Sequence, residues 1–391
     1  MKRLYTPFKV NKLELKNRVI MSPMSIGHTV DGFIMDDVVE FYKRRAQGGV
    51  GLIIFANMQW DKLRYNPNHG AMLTDEKYIP SLKKLTDAIH EGGSKVFAQL
   101  MHRGRCANRA SIQGEQAVAP SPIPGRFTHF EMPKELTVEE IKEFVDWQAE
   151  AAVIAKTAGF DGVEIHAAHG YLVNQFMSPH TNHRTDKYGG DFFNRMRFIS
   201  EIIISIRFAC GADFPISVRM NGTDFWDDGN DEKECQHIAR YLESLGVASL
   251  NISSGSYESG WSIIEPYPYQ EGWKKHLAKG IKDCVHIPVI AVNTVKHPAH
   301  AEAMLEEGVS DFVGVARGNL CDPEFGNKAK RGDDARVRKC IGCMNCFKQA
   351  GLGRAIECAV NPVLGRETYR GDDKLTKNGD GRTVAVIGAG P

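Results

Sequence analysis

The chain has 391 residues, of which 42% are hydrophobic and 25% are charged, a composition typical of folded globular proteins. Its 49 Lys and Arg residues nearly balance its 48 Asp and Glu residues, which leaves a formal net charge of +1. This balance argues against nucleic-acid partners and against anionic membranes, because binding to either needs a broad basic surface. The amino-terminal residues lack the apolar core of a signal peptide, and no later segment has the roughly 20 apolar residues that span a bilayer. The sequence therefore predicts a cytoplasmic protein.

Eight short apolar runs, each followed by a segment of helical pattern, predict a parallel sheet. The runs lie at 18–23, 50–56, 95–100, 161–166, 215–220, 248–253, 287–292 and 311–315. Helices are predicted at 36–47, 75–91, 137–158, 194–208, 231–245 and 298–307, and Thr137 and Glu140 have capping-box spacing. Eight strand–helix units with right-handed crossovers favour a closed (β/α)8 TIM barrel over an open sheet. The predicted fold class is therefore α/β, with the barrel formed by residues 1–330.

The connection after the third predicted strand, residues 101–136, is too long for an ordinary loop of such a barrel. It follows the carboxyl end of a strand, where barrel active sites are built, so it is predicted to form a lid or a substrate wall. A surface excursion without a catalytic role is the alternative. A second wall is predicted at 257–273. Aromatic residues of the two walls, which suit a planar apolar substrate, are Phe127, Phe130, Trp261, Tyr267, Tyr269 and Trp273.

The nine cysteines are unevenly distributed. Five are scattered, namely Cys106, Cys210, Cys235, Cys284 and Cys321. The other four are Cys340, Cys343, Cys346 and Cys358. Three thiolates spaced by two residues can bind one face of a cubane cluster, and a distant fourth completes the ligand set of a [4Fe–4S] site. A structural zinc site is the main alternative, although zinc sites more often use two separated CxxC pairs or recruit His. The predicted iron–sulfur extension comprises residues 331–370.

The last residues have the pattern of a nucleotide-binding domain. Residues 366–382 are polar and predict a linker, and 383–391 are an apolar run that leads into Gly388 and Gly390. A strand that runs into Gly-x-Gly begins a dinucleotide-binding βαβ unit. The pattern stops before its third glycine. Residues 371–391 are therefore expected to be a linker and the first strand of an incomplete FAD- or NAD(P)-binding domain.

His166 ends the fourth predicted strand, and His169 and Tyr171 follow after a turn, at the end of the barrel where active sites are built. Two imidazoles three residues apart could bind a metal, or they could donate two hydrogen bonds to one substrate oxygen. For isolated histidines a purely structural role would dominate. Their clustering with Tyr171 favours a function in the active site.

Motifs in a fixed order lie at 163–171, 174–179, 182–190 and 194–198, with further matches at 16–18, 22–24, 99–105, 218–220, 316–317 and 322–323. In these motifs the chain strongly resembles the old yellow enzyme family. Together they cover nearly all of residues 1–330. The cysteine cluster narrows the resemblance to long members similar to 2,4-dienoyl-CoA reductase, 2-enoate reductase and trimethylamine dehydrogenase. In those proteins an FMN barrel and a [4Fe–4S] site precede a half that binds FAD and NAD(P)H, and only the first part is matched here.

The resemblance implies an FMN site at the mouth of the barrel. The residues that would line the flavin or its phosphate are Pro23, Met24, Ser25, Ala56, Gln99, Arg219, Asn293, Ala316 and Arg317. Gln99 would pair with the pyrimidine edge, and Arg219 would place positive charge at N1 and O2. Backbone amides near the last three residues of the set would hold the phosphate.

The resemblance also implies the chemistry of an ene-reductase. His166 and His169 would hold the carbonyl oxygen of an α,β-unsaturated carbonyl compound or enoate while flavin N5 gives hydride to the β-carbon. Tyr171 would protonate the α-carbon. Electrons would come from NAD(P)H through FAD and the [4Fe–4S] cluster. An amine (N-methyl) dehydrogenase and a flavin/iron–sulfur electron carrier are the alternatives.

Two positions depart from particular members of the family. In dienoyl-CoA reductases a His after the sixth strand serves as a second proton donor. Here Tyr257 stands at that position, which puts a dienoyl-CoA substrate in doubt. His166 stands where the amine dehydrogenases have Tyr, which favours reduction of an alkene over oxidation of an amine. The identity of the substrate is not predicted, and a homo-oligomer is left open.

Overall fold

A computed structural model describes residues 3–388 except positions 28, 69, 127–130, 293, 372–373 and 377. Eight parallel strands form a closed barrel, because β1 pairs with both β2 and β8. The strands are β1 Val19–Met21, β2 Leu52–Gln59, β3 Lys95–Leu100, β4 Gly162–Ala167, β5 Ile216–Asn221, β6 Ser249–Ser253, β7 Val289–Ala291 and β8 Phe312–Gly314. The predicted TIM barrel is confirmed, and each predicted strand overlaps one of these eight.

Helices cover the outside of the barrel. In chain order they are α1 Asp36–Gln47, α2 Ile79–Glu91, α3 Val138–Thr157, α4 Leu172–Met177, α5 Phe192–Cys210, α6 Glu232–Ser244, α7 Lys275–Lys282, α8 Pro298–Glu306, α9 Arg317–Cys321, α10 Phe325–Arg331, α11 Asn345–Gly351 and α12 Glu367–Arg370. All six predicted helices are present. The capping box of α3 is confirmed, because Glu140 N donates to Thr137 Oγ1 at 3.2 Å and Thr137 N donates to Glu140 Oε2 at 3.0 Å.

Apolar side chains close the amino end of the barrel. The antiparallel hairpin of Phe8–Val10 and Leu13–Leu15 precedes β1 and packs Val10 and Leu15 against the barrel interior. The strand residues of this cluster are Ile20, Leu52, Ile54, Phe97, Ala248, Ile290 and Phe312. Their neighbours along the strands pack outward against the helices, as the two-residue period of a strand requires. Because one end is filled, the polar interior opens only at the carboxyl ends of the strands.

The segment after the barrel is anchored by a buried ion pair. Arg45 of α1 donates from Nη1 to Glu367 Oε1 of α12 at 2.9 Å, and the two side chains are 0% and 5% exposed. Arg45 also donates to the carbonyl oxygens of Phe41 and Asn319. The guanidinium therefore joins the barrel, α9 and α12.

The predicted strand at 383–387 is not formed. Val384, Val386 and Ile387 are 80%, 82% and 99% exposed, and no described strand pairs with them. An extended segment without a neighbouring strand makes no ladder hydrogen bonds, so the apolar pattern alone does not produce a strand here. The assignment of 371–391 to a nucleotide-binding domain stays a prediction. Within the described residues, no helix is both long enough and apolar enough to cross a bilayer.

Replacement of Glu367 by Ala tests the anchor. The change leaves the Arg45 charge buried without its partner, so the free energy of unfolding should fall by about 3 kcal/mol in urea denaturation. Asp213→Ala removes the partner of Lys12 in an exposed pair with a similar 2.8 Å separation and is the control. That change should cost less than about 1 kcal/mol. Equal losses in the two variants would contradict the anchoring role.

Candidate active site

A buried carboxylate lies at the centre of the barrel, below the predicted site residues. Glu164 of β4 is 0% exposed. Its Oε1 accepts from Gln99 Nε2 of β3 at 2.8 Å, and its Oε2 accepts from Asn251 Nδ2 of β6 at 2.9 Å. Burial raises the pKa of Glu164, and the charge of Arg219 opposes that shift. Glu164 therefore fixes the orientation of the Gln99 amide at the base of the predicted flavin site.

Arg219 of β5 points toward the same interior. Its Nη2 donates to Ser253 Oγ at 3.4 Å, and its buried Nε has no hydrogen-bond partner among the described residues. Burial lowers the pKa of Arg219, while Glu164 raises it. A buried guanidinium N–H without an acceptor is costly, so this atom fits a ligand that offers oxygen or nitrogen lone pairs. The pyrimidine edge of a flavin has that chemistry.

The other described residues of the predicted FMN set lie at the same end of the barrel. Pro23, Met24 and Ser25 follow β1, and Ala56 lies in β2 at an irregularity between Phe55 and Met58. The remaining two, at positions 316 and 317, follow β8. The structure thus brings these positions to one face of the sheet. Asn293 lies outside the described residues.

His166, His169 and Tyr171 form one cluster at the carboxyl end of β4, where His166 lies in the strand and the other two residues follow it. The His166 ring centroid lies 4.9 Å from that of His169 and 4.8 Å from that of Tyr171. Ala168 N donates to His166 Nδ1 at 3.4 Å, which leaves the Nε2–H of a neutral His166 free to donate. His169 Nε2 lies 2.6 Å from Ser253 Oγ. Each imidazole therefore has one ring nitrogen engaged and one available.

A left-handed turn aims His169 at this cluster. Its φ of 65° is unfavourable for a non-glycine residue and is stabilised by neighbouring amides. His169 N donates to Asn221 Oδ1 at 3.3 Å, and Gly170 N donates to Asn174 Oδ1 at 2.8 Å. Gln175 Nε2 donates to the Gly170 carbonyl oxygen at 2.7 Å. These contacts explain why the histidine does not continue the strand.

Both imidazoles are neutral at pH 7. Burial lowers the pKa of His166 and that of His169 well below the usual value, and the charge of Arg219 lowers both further. A neutral imidazole donates one N–H and accepts at the other nitrogen. The pair can therefore present two hydrogen-bond donors to one oxygen without adding positive charge.

Tyr171 and Tyr257 share a hydrogen bond. Their hydroxyl oxygens are 2.8 Å apart. Tyr257 therefore lies beside Tyr171, the predicted proton donor, as we expected from the sequence. Burial raises the pKa of Tyr171 well above its usual range, and the neighbouring Tyr257 adds to the shift. Burial also raises the pKa of Tyr257. Both phenols hold their protons at neutral pH.

The two predicted walls meet through a buried ion pair. Arg105 Nη2 of the 101–136 connection donates to Glu258 Oε2 at 2.6 Å, and the side chains are 5% and 7% exposed. Arg126 N donates to the other oxygen of Glu258 at 2.9 Å. Trp261 and Tyr267 remain more than half exposed at the mouth. Two wall residues of the prediction, at 127 and 130, lie outside the described residues.

A buried charge network runs from the mouth toward the extension. Lys274 Nζ lies 2.5 Å from Glu265 Oε1, and Thr294 Oγ1 donates to Glu265 Oε2 at 2.7 Å. Arg317 donates to the Glu265 carbonyl oxygen at 2.6 Å and to Met344 Sδ at 3.5 Å. Burial opposes a charged Glu265, but Lys274 lowers the pKa of its carboxyl. Arg317 thus joins the barrel to the cysteine loop, residues 340–346.

The cysteine loop docks against the barrel mouth. Tyr267 N donates to the Gly342 carbonyl oxygen at 3.1 Å, and Gly342 has a φ of 68°. A Cβ at Gly342 would stand 2.7 Å from Tyr267 N, so no larger residue fits without a shift of the backbone. Gly342 N also donates to Cys340 Sγ at 3.5 Å.

Cys321 is not scattered, as the sequence had suggested, but belongs to the cysteine site. Its Sγ lies 3.6 Å from Cys358 Sγ, and the Cys340 thiol is close enough to raise the pKa of Cys321. Cys340 and Cys358, the first and last residues of the predicted ligand set, therefore both lie near Cys321. Among the described residues, no three His, Cys, Asp or Glu side chains are arranged to hold a single metal ion. The four thiols have the chemistry of a [4Fe–4S] ligand set, whose members bind different irons.

Residues 3–335 match the protein family described as NADH:flavin oxidoreductase / NADH oxidase. The chain belongs to this family. The match covers the whole barrel and identifies it as a flavin-oxidoreductase domain of this family, with FMN as the cofactor that the family supports. The predicted resemblance to the old yellow enzymes is thereby confirmed.

Two curated relatives align over nearly the full chain. An NADH oxidase from Thermoanaerobacter brockii is 42% identical over 99% of this chain and 60% of its own length. A cinnamate reductase from Clostridium sporogenes is 36% identical over 100% of this chain and 61% of its own length. The chain thus spans about three fifths of the length of these relatives.

Two solved structures share the fold. A 2-naphthoyl-CoA reductase in complex with 2-naphthoyl-CoA has a TM-score of 0.89 and 30% identity, over 94% of this chain and 58% of that one. The old yellow enzyme homologue from Zymomonas mobilis has a TM-score of 0.74 and 27% identity, over 86% of this chain and 94% of that one. The second match covers nearly the whole of that chain.

Several residues of the site were missed in the sequence. Ser253 and Glu164 lie inside apolar strands, where a polar residue is a usable signal of a lined cavity. Glu265 lies within the aromatic wall at 257–273 and Lys274 directly follows it. A charged residue in such a segment is also a usable signal of a polar site. Cys321 had no local signal, because only the fold brings it to the cysteine loop.

The neutral imidazoles predict a dependence of stability on pH. The unfolded chain binds a proton at each histidine near pH 6.5, whereas folded His169 does not, so stability should fall as the pH drops below about 6.5. The loss approaches about 1.4 kcal/mol per pH unit for one such imidazole. The free energy of unfolding, measured in urea between pH 7 and pH 5, should depend less steeply on pH in His169→Asn than in the wild type. His276→Asn, which removes an exposed imidazole, is the control, and equal slopes for all three proteins would contradict a buried neutral His169.

Proposed function

We propose that this chain carries the substrate-reducing site of an FMN-dependent ene-reductase, which reduces a C=C bond conjugated to a carbonyl or carboxylate group. The observation that supports it best is the pair of neutral imidazoles, His166 and His169, beside the protonated Tyr171. Two donors and one acid are what polarisation of a carbonyl and protonation of the adjacent carbon require.

The two imidazoles bind the substrate oxygen. His166 donates from Nε2, because its Nδ1 accepts from the backbone. His169 donates from Nδ1, which requires that Ser253 donates its hydroxyl proton to His169 Nε2. Arg219, which has only donors, binds the same hydroxyl oxygen and so favours that orientation. FMN, when bound, supplies the hydride to the β-carbon.

Tyr171 gives the proton to the α-carbon. Its raised pKa keeps the phenol protonated until negative charge develops on the substrate. The Tyr257 hydroxyl, 2.8 Å away, can stabilise the phenolate that remains and return a proton to it. Tyr257 thus takes the place beside the acid that His has in dienoyl-CoA reductases.

Two cofactors belong to the proposal. FMN would be held by the predicted set, with Gln99 and Arg219 at its pyrimidine edge, where the unpartnered Arg219 Nε lies. A [4Fe–4S] cluster would be bound by Cys340, Cys343, Cys346 and Cys358 in an extension of residues 331–370. Electrons would reach the cluster from NAD(P)H through FAD in a longer protein, which is consistent with the greater length of the relatives.

The substrate is proposed to be a planar, aryl-substituted enoate or enone. The aromatic residues at the mouth, among them Trp261, Tyr267 and Trp273, suit a flat apolar group. Two of the similar proteins are named as a cinnamate reductase and a 2-naphthoyl-CoA reductase, and both names describe substrates in which an acyl group is conjugated to an aryl ring.

Replacement of Tyr171 by Phe tests the proton donor. The chain would be reduced anaerobically with dithionite and mixed with cinnamate or an aryl enone, and reoxidation of the flavin would be followed by absorbance. The variant should reoxidise at least about 100-fold more slowly, because general acid catalysis typically contributes that much. Tyr257→Phe keeps the acid and should slow the reaction less.

Two outcomes would contradict the assignment. An unchanged rate in Tyr171→Phe would remove the proton-donor role. Reduction of the oxidised flavin by a secondary or tertiary methylamine, together with no reaction with any enone, would favour the amine dehydrogenase instead.

Replacement of Ser253 by Ala tests the orientation of His169. Loss of the hydroxyl removes the group that fixes the tautomer, so kcat/KM for an enone should fall about five- to tenfold, as for one lost hydrogen bond. Ser249→Ala removes a hydroxyl from the same strand at a position with no hydrogen-bond partner for Ser249 Oγ in the described structure, and it is the matched control. Equal effects of the two changes would contradict the orienting role.

A further inference from the structure

We infer that Cys321 is a fifth thiol of the iron–sulfur site, which donates its S–H to the ligand sulfur of Cys358 and thereby raises the reduction potential of the cluster. The inference rests on the proposed binding of a [4Fe–4S] cluster by the four other cysteines. It assigns to Cys321 a tuning role and no bond to iron.

The position of the thiol carries the inference. Cys321 is 2% exposed, and its Sγ lies 3.6 Å from Cys358 Sγ, within the range of a hydrogen bond between sulfur atoms. A buried S–H has no water to donate to, so it donates to the adjacent Cys358 sulfur.

The backbone of Cys321 is fixed independently of the cysteine loop. It is the last residue of α9, and the next residue, Asp322, is 0% exposed. The Asp322 carboxylate accepts from Glu324 N at 3.0 Å, from Lys328 Nζ at 2.6 Å and from Arg338 N at 2.9 Å. Cys321 therefore stands on the barrel side of the site.

The segment that carries Cys358 is tied to the same helix. Asn361 Nδ2 donates to the Leu320 carbonyl oxygen at 2.7 Å, and Asn361 is 2% exposed. Cys358 and Asn361 are themselves paired across a tight turn. The contact between Cys321 and Cys358 is thus supported on both sides by buried hydrogen bonds, which is what a preorganised donor needs.

A hydrogen bond to a ligand sulfur stabilises the reduced cluster more than the oxidised one, because the reduced cluster carries one more electron. Hydrogen bonds to the sulfurs are among the factors that set cluster potentials. Helix α9 begins at Arg317, in the predicted phosphate-binding segment, and ends at Cys321. Helix α9 therefore connects the predicted phosphate-binding segment directly to the thiol that adjusts the cluster potential.

The test compares Cys321→Ala and Cys321→Ser in the full chain with its cluster reconstituted anaerobically. Iron content would be measured, and the cluster potential would be determined by a redox titration followed by electron paramagnetic resonance. Both variants should retain about four irons per chain. In Cys321→Ala the equilibrium for reduction should shift about tenfold toward the oxidised cluster, which is about 59 mV for one electron. Cys321→Ser keeps a donor and should recover most of that shift.

Cys284→Ala is the matched control, because Cys284 is partly buried and donates only to backbone carbonyl oxygens of other elements. It should leave the potential unchanged.

An unaltered potential in Cys321→Ala with full iron content would overturn the inference and leave the proposed cluster intact. Loss of iron in Cys321→Ala would also overturn it, since Cys321 would then be a ligand. Absence of iron from the reconstituted wild type would overturn the cluster itself, while dithionite-driven enone reduction would still test the barrel.

Discussion

The buried carboxylate of Glu164 is the constraint on which the barrel mouth depends. A carboxyl group with no exposure needs hydrogen-bond partners, and Glu164 receives hydrogen bonds from Gln99 and Asn251 on two other strands. The charge of Arg219 completes the compensation. These contacts hold polar side chains of four strands in fixed positions above an apolar base. The predicted flavin site is therefore built on paired strands, where a side chain can be held more exactly than on a loop.

Coupling between the barrel and the cysteine loop depends on α9 and the contacts around it. Arg317 at the start of this helix reaches Met344 in the loop, and Cys321 at its end reaches Cys358. Arg45 pairs with Glu367 and donates to the carbonyl of Asn319 in the middle of the same helix. Each contact is largely buried, so the two predicted cofactor sites are held at a fixed separation by side chains that water cannot replace.

Much of the fold could be predicted, because the barrel strands are apolar runs with clear helical segments between them. All eight strands and six helices follow from that pattern, whereas α7, with eight residues between aromatic and polar segments, has too short a pattern to recognise. The motif at His166 to Tyr171 pointed to the end of the barrel where the candidate site lies. Contacts between distant residues were not predictable: the Ser253 contact to His169 and the Cys321 contact to Cys358 join positions 84 and 37 residues apart. The failed strand at 383–387 shows the converse, since a local pattern does not form a strand without a partner.

The sequence left open whether the two histidines bind a metal or a substrate oxygen, and the structure supplies an argument. A metal needs a free lone pair on each imidazole and gains nothing from a neighbouring cation. Here Arg219 adds positive charge beside both rings, which would oppose a bound cation as it opposes protonation. The same charge favours an oxygen on which negative charge develops, because that oxygen is attracted by the guanidinium while the neutral N–H groups bind it directly. The electrostatics around His166 and His169 therefore favour an enolate over a metal ion.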